Sequence, residues 1–149
     1  MSDFGETVVR RLLSEEVKTE RYHPLGKKSP SVSYDFYITK WNCLGEVKTK
    51  FNASKSGFSI PKKTLKRYKE YTNTWKYEYI FYFVDINSRA IYSVNYDDFK
   101  RFGVGTHNDN LSSVKYYPKE DDFIGEITRE DYRDFTLNYS KDRVKSYEF

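Results

Sequence analysis

Three side chains within Ser33 to Lys50, SYDFYITKWNCLGEVKTK, have the types and spacing to activate water at a phosphate: Asp35, Glu46 and Lys48. Two carboxylates attract a hard divalent cation. An ammonium beside them orients or deprotonates a water, or offsets charge growing on phosphate oxygens. The stretch reads as two short strands joined by a turn, because its residues sort onto two faces with period two. Val32, Tyr34, Phe36 and Ile38 fall on one face of the first strand, and Ser33, Asp35, Tyr37 and Thr39 on the other. In the second strand Leu44, Glu46, Lys48 and Lys50 share a face, while Cys43, Val47 and Phe51 point the opposite way. Paired as a hairpin, the strands bring Asp35, Glu46 and Lys48 together on one side of a sheet.

Spacing alone does not select this triplet. Acid-x-Lys occurs three times, at Glu16-Val17-Lys18, Glu46-Val47-Lys48 and Asp98-Phe99-Lys100, about as often as chance supplies it. Glu16 lies at a helix end with no earlier acid-bearing strand. Asp98 lies in Asn95-Tyr96-Asp97-Asp98, which reads as a helix start, where acids serve as caps. Only Glu46 sits in strand-like alternation, eleven residues after an acid in another strand.

The elements that must position these groups follow from the rest of the chain. Asp3 and Glu6 have capping-box spacing, and Phe4, Val8, Val9, Leu12, Leu13 and Val17 recur at helical intervals, predicting a helix over residues 4–18. Glu6 falls at the border of that apolar stripe. It is either a carboxylate aimed at the site or a first-turn acid favoured by the helix dipole. Thr19 to His23 predicts a first strand, ended by Pro24 and Gly26, and Lys27 and Lys28 form a basic loop tip. Downstream, Ser59 with Pro61 predicts a helix start, with Leu65, Tyr68, Thr72 and Trp75 along one side and Lys62, Lys63, Lys66, Arg67 and Lys69 over the remainder. Tyr79 to Val84, YIFYFV, is apolar on both faces and predicts a central strand. Asp85 to Ser88 turns the chain into a strand at Ala90 to Val94, and Asn95 caps a short helix. Gly103 to Ser113 reads as a loop and Val114 to Tyr117 as a short strand. Thr128 with Asp131 opens a last helix, with Ile127 and Tyr132 as its hydrophobic staple.

Composition narrows the classes. At 149 residues one domain with one core suffices, and fifteen Tyr and eleven Phe make that core strongly aromatic. Residues 40–76 hold ten basic against two acidic groups, so the net charge of +4 is concentrated around and after the candidate site, where a polyanion would be held. The single Cys43 excludes a disulfide framework and a multi-cysteine zinc site. No apolar run approaches a membrane span and no secretory leader is evident, predicting a soluble cytoplasmic protein that is not secreted.

Acid, acid-x-Lys, an upstream acid-bearing helix and a basic helix downstream: this layout resembles the PD-(D/E)XK nuclease superfamily over roughly residues 3–94. The resemblance implies a restriction-endonuclease-like α/β sandwich, a central mixed β-sheet flanked by helices, in a single domain of residues 1–149 with a C-terminal extension from about 95. It implies a Mg²⁺-dependent endonuclease, Mn²⁺ substituting, with Asp35, Glu46 and the carbonyl of Val47 as metal ligands, Lys48 as the motif lysine and Glu6 as the helix carboxylate some members add. Tyr34 stands where the family name has proline. No glutamine follows on the next helix, where Lys62 or Lys66 takes its place. Within the superfamily the chain is similar in size and carboxylate spacing to small homing endonucleases of bacterial group I introns. That implies sequence-specific cutting of double-stranded DNA by a homodimer or homotetramer of bacterial or phage origin. Candidate DNA contacts are Lys27, Lys28, Lys50, Asn52, Ser54, Lys55, Lys62, Lys63, Lys66 and Arg67. The alternatives are a Holliday-junction resolvase, a ribonuclease, and a non-catalytic nucleic-acid-binding protein in which Glu46 and Lys48 form an ion pair only.

Overall fold

Phe4, Val8, Val9 and Leu13 share one stripe of α1 (Ser2–Leu13) and are buried against a sheet in the structure, a computed structural model that describes residues 2–20, 34–53, 55–105 and 113–138. That sheet has six strands in the order β1-β2-β3-β5-β6-β9. They are β1 (Thr19–Glu20), β2 (Phe36–Ile38), β3 (Cys43–Lys50), β5 (Glu78–Asp85), β6 (Ala90–Asn95) and β9 (Phe123–Glu126). β3 and β5 run parallel and every other pair is antiparallel, so the sheet is mixed. Between β3 and β5 the chain makes β4 (Phe58–Pro61) and α2 (Lys62–Trp75). A parallel return requires such a crossover.

One face of the sheet is covered by α1 and by α4 (Arg129–Asn138), whose Tyr132 joins Phe4, Val8, Phe36, Val47 and Tyr82 in a single apolar cluster. The other face is covered by α2, by α3 (Tyr96–Phe102) and by a second sheet of three strands, β4-β8-β7, with β7 (Val104–Gly105) and β8 (Ser113–Tyr116). Phe58, Ile60, Leu65, Tyr68, Phe99 and Tyr116 there bury Tyr79, Phe81 and Phe83. The YIFYFV strand is therefore apolar on both sides because both sides are covered. Together these make a mixed α/β protein with a mixed multi-strand sheet and flanking helices. Among the described residues no helix is long and apolar enough to cross a membrane.

Several expected elements form as the residues dictate. Asn95 Oδ1 accepts from the Asp98 N–H at 2.7 Å and caps α3. Thr128 and Asp131 cap α4 reciprocally, Thr128 N–H to Asp131 Oδ2 at 2.8 Å and Asp131 N–H to Thr128 Oγ1 at 3.1 Å, with Ile127 and Tyr132 both buried. Others differ. α1 ends at Leu13, not at residue 18, because the Ser14 hydroxyl takes the Arg11 carbonyl and the next residues form a turn that drops Val17 into the core. Ser59 is no helix cap. Phe58 and Ile60 alternate with it and are buried, so the segment pairs with β8, and Pro61 opens α2 without a side-chain cap. Only Thr19 and Glu20 of the expected 19–23 strand lie among the described residues. Besides β4, two further short strands were not expected: β7, inside the 103–113 loop, and β9, on the edge beside β6. Through β8, β9 and Tyr132 the packed body extends well past residue 94.

Asp131 also ties α4 to α1, since both the Nε and the Nη2 of Arg11 donate to its carboxylate. Asp131→Ala removes the cap and leaves Arg11 facing the empty place, and should lower stability by about 2 kcal/mol. A urea unfolding midpoint within error of wild type would contradict that role.

Candidate active site

β2 and β3 pair with Phe36 opposite Gly45, Tyr37 opposite Leu44 and Ile38 opposite Cys43. One step further along this register Asp35 faces Glu46, and the Asp35 N–H still donates to the Gly45 carbonyl at 2.8 Å. Directly opposed side chains on an antiparallel pair lie on the same face, with Cβ atoms about 5 Å apart. Asp35, expected inside the first strand, stands just before it. This matters because β2 stops there and leaves the β3 edge open. The Asp35 carboxylate closes that edge: its Oδ2 accepts from the Val47 N–H at 2.7 Å. A strand residue's N–H and C=O point to the same side, so the Val47 carbonyl faces this edge as well.

Glu46 is only 7% exposed, and its Oε2 is buried with no hydrogen-bond partner. Lys48, two residues on and on the same face, brings its Nζ to 3.8 Å from Glu46 Oε1. The Tyr79 hydroxyl also hydrogen-bonds the carboxylate. Burial first, then the charge of Asp35, pushes the Glu46 carboxyl up to about 8, against the opposing pull of Lys48. The Asp35 carboxyl is also raised, by burial, with the Val47 N–H and Lys48 acting to lower it. Asp3 at the start of α1 adds to the negative field on Asp35, and Glu6 to that on Glu46. Glu6 itself is ion-paired to Arg10 at 3.5 Å. It lies within electrostatic reach of the pair and is held by its own helix. Among the described residues no three His, Cys, Asp or Glu side chains stand close enough to ligate one ion. The metal-binding set on offer is therefore two carboxylates and a backbone carbonyl, which fits an ion that keeps several waters and binds one or two carboxylates with a substrate phosphate.

α2 lies over the same sheet face, seating Leu65 and Tyr68 in the core and exposing Lys62, Lys63, Lys66 and Arg67. Tyr68 stacks on Tyr79 with ring centroids 4.2 Å apart, so the helix supports the residue that bonds Glu46. Lys50, expected at DNA, is partly buried, and its Nζ donates to the Gly57 carbonyl at 2.7 Å and the Ser56 hydroxyl at 3.3 Å. It clamps the turn between β3 and β4. Asn52 and Lys55 are exposed beside that turn. Lys27, Lys28 and Ser54 lie outside the described residues. Cys43 is fully buried, and burial holds its thiol up at about 12, so it is a packing residue.

Tyr79 and Asp3 were not among the expected site residues. Tyr79 reaches the site because parallel pairing sets Leu44 beside it, a register no local pattern announces. Asp3 reads locally as a cap. Compared with known proteins, the chain matches no protein-family model and no curated protein.

Proposed function

We propose that this protein is a metal-dependent endonuclease that hydrolyses phosphodiester bonds of double-stranded DNA at Asp35, Glu46 and Lys48. One observation carries the reading: a buried carboxylate, Glu46, with an oxygen lacking any partner, faces a second carboxylate across the strand pair. Folded proteins rarely keep a buried carboxyl so poorly partnered beside a second one, and a cation that ionises and joins the two explains its retention. Also in support is the element order: an acid-bearing helix, an antiparallel β2–β3 pair carrying the acids, and a basic crossover helix leading to a strand parallel to β3. That order is similar to the restriction-endonuclease-like sandwich.

Asp35, Glu46 and the Val47 carbonyl would hold Mg²⁺ or Mn²⁺. Such an ion, when bound, lowers the pKa of a water and neutralises charge on the scissile phosphate. The chain's own residues do the rest. The Val47 N–H fixes the Asp35 carboxylate in place, and the Tyr79 hydroxyl and Tyr68 ring fix that of Glu46. Lys48, with 39% of its side chain exposed, reaches from the Glu46 carboxylate toward solvent, where it orients the attacking water or stabilises negative charge on the phosphate. Glu6 acts through its field and is not a ligand. The exposed lysines of α2 hold the DNA backbone, with affinity falling steeply as salt rises. Cutting both strands takes two such sites, so the working form is a homodimer or homotetramer.

Incubation of supercoiled plasmid with the protein and Mg²⁺ tests this. Nicked or linear product is expected, absent in EDTA and lost with Lys48→Ala. Equal cleavage by Lys48→Ala, or cleavage in EDTA, would remove this site from the reaction.

A further inference from the structure

We propose that the outward face of the small β4–β8–β7 sheet is a binding surface for single-stranded nucleic acid. Unpaired bases stack there on Tyr117 and Phe102, and Lys115 and Lys119 hold the phosphates. The inward residues of this sheet, Phe58, Ile60 and Tyr116, are buried, so alternation turns Ser59, Lys115 and Val104 outward in one cross-strand row. Beyond that row lie Tyr117, just after β8 and beside Gly57, and Phe102, the last residue of α3. Tyr117 is 46% exposed, Phe102 44% and Val104 57%, three of the five large apolar side chains exposed among the described residues. The edge of the Tyr117 ring rests on buried Gly57, where a Cβ would come within 3.2 Å of it, so the ring lies flat beside the turn with part of its surface open to solvent.

Cations accompany these rings. Lys119 Nζ lies 3.0 Å from the centroid of Phe102 and the Arg101 guanidinium 5.1 Å from it. Exposed rings interleaved with ammonium groups are the composition that grips a strand through its bases and backbone together, with little regard to sequence. A base arriving on Phe102 exchanges a cation–π contact for stacking and frees Lys119 for a phosphate. The surface is also next to the carboxylate site. Lys48 and Lys50 project from one face of β3 roughly 7 Å apart, Lys50 grips the Gly57 carbonyl, and Gly57 abuts Tyr117. A strand lying on the small sheet thus leads toward Lys48. The surface binds on its own account, and only what is cut rests on the nuclease reading.

The test is made in EDTA, so its outcome is independent of whether the carboxylate site cleaves. Fluorescein-labelled (dT)20, (rU)20 and a blunt duplex are titrated with wild type and with the Phe102→Ala/Tyr117→Ala double variant. Both residues are solvent-exposed, and melting curves check that the variant folds. Wild type should bind the single strands, and the double variant should lose at least tenfold in affinity for them with a smaller loss for duplex. Lys115→Ala should lower the slope of log affinity against log salt by about one. A 2-aminopurine placed in (dT)20 should be quenched on binding wild type, a readout that needs no variant. No binding of single strands, no quenching, or equal losses for single strand and duplex would overturn the proposal. So would a double variant that dissociates a wild-type oligomer while binding (dT)20 unchanged, since the surface would then join copies of the chain.

Discussion

Glu46→Gln should remove cleavage and at the same time make the protein harder to unfold. On activity, the substitution keeps the shape of the side chain and deletes the charge that draws the cation, so the loss should be on the order of 10³-fold. On stability, the sign follows from linkage. The Glu46 carboxyl titrates at about 8 in the folded chain against an ordinary value of 4.5, because it is buried and faces Asp35. Between those values the folded state holds the proton that the unfolded state has already released, so stability falls as pH rises from 4.5 toward 8. The accumulated cost by pH 8 is on the order of several kcal/mol. A glutamine never pays it, but its buried amide N–H groups need acceptors, which offsets part of the gain. The net expectation is a stabilisation of about 1–3 kcal/mol at pH 8, or several degrees in melting temperature, which shrinks as pH falls and changes sign before pH 4.5, where only the cost of the buried amide remains. Melting curves of both proteins across that range decide it. A variant that is inactive and also less stable at pH 8 would mean that Glu46 is a structural group.

The second large effect concerns Mg²⁺ and the proton as competitors for one carboxylate. A cation needs Glu46 ionised, so below the group's own pKa each bound ion must expel a proton. The Mg²⁺ concentration giving half of the maximal thermal stabilisation should therefore fall about tenfold for each unit of pH between 6 and 8, and level off above. The raised carboxyl of Asp35 acts in the same direction at the acid end. In Glu46→Gln the dependence should flatten and the stabilisation itself should nearly vanish. Thermal-shift titrations at four or five pH values are sufficient. Stabilisation by Mg²⁺ that is independent of pH, or undiminished in the variant, would place the ion elsewhere.

Much of this protein was legible in local sequence wherever the determinant is local. Asn95 before YDDFKRF, Thr128 with Asp131, and the alternation around Asp35 and Glu46 each involve residues a few positions apart, so propensity, capping and side-chain period decide them without help from the remaining chain. The composition of the YIFYFV strand likewise announces cover on both faces. Where two local signals competed, packing chose. Ser59-Ile60-Pro61 carries helix-start chemistry, yet Phe58 and Ile60 find a core to fill and the segment becomes β4. Val17 continues the helical stripe, yet it is buried beyond a turn.

The sequence by itself determined which residues carry charge, which face of each strand they occupy, and that Asp35, Glu46 and Lys48 share one side. Only the tertiary structure decided what surrounds them. The parallel register of β3 on β5 brings Tyr79 to Glu46, the early end of β2 leaves Val47 for Asp35 to satisfy, and Tyr68 of α2 backs the Tyr79 ring beside the buried Glu46. These contacts join residues distant in the chain. Their free energy comes from burying aromatic surface collectively, which no window of sequence contains.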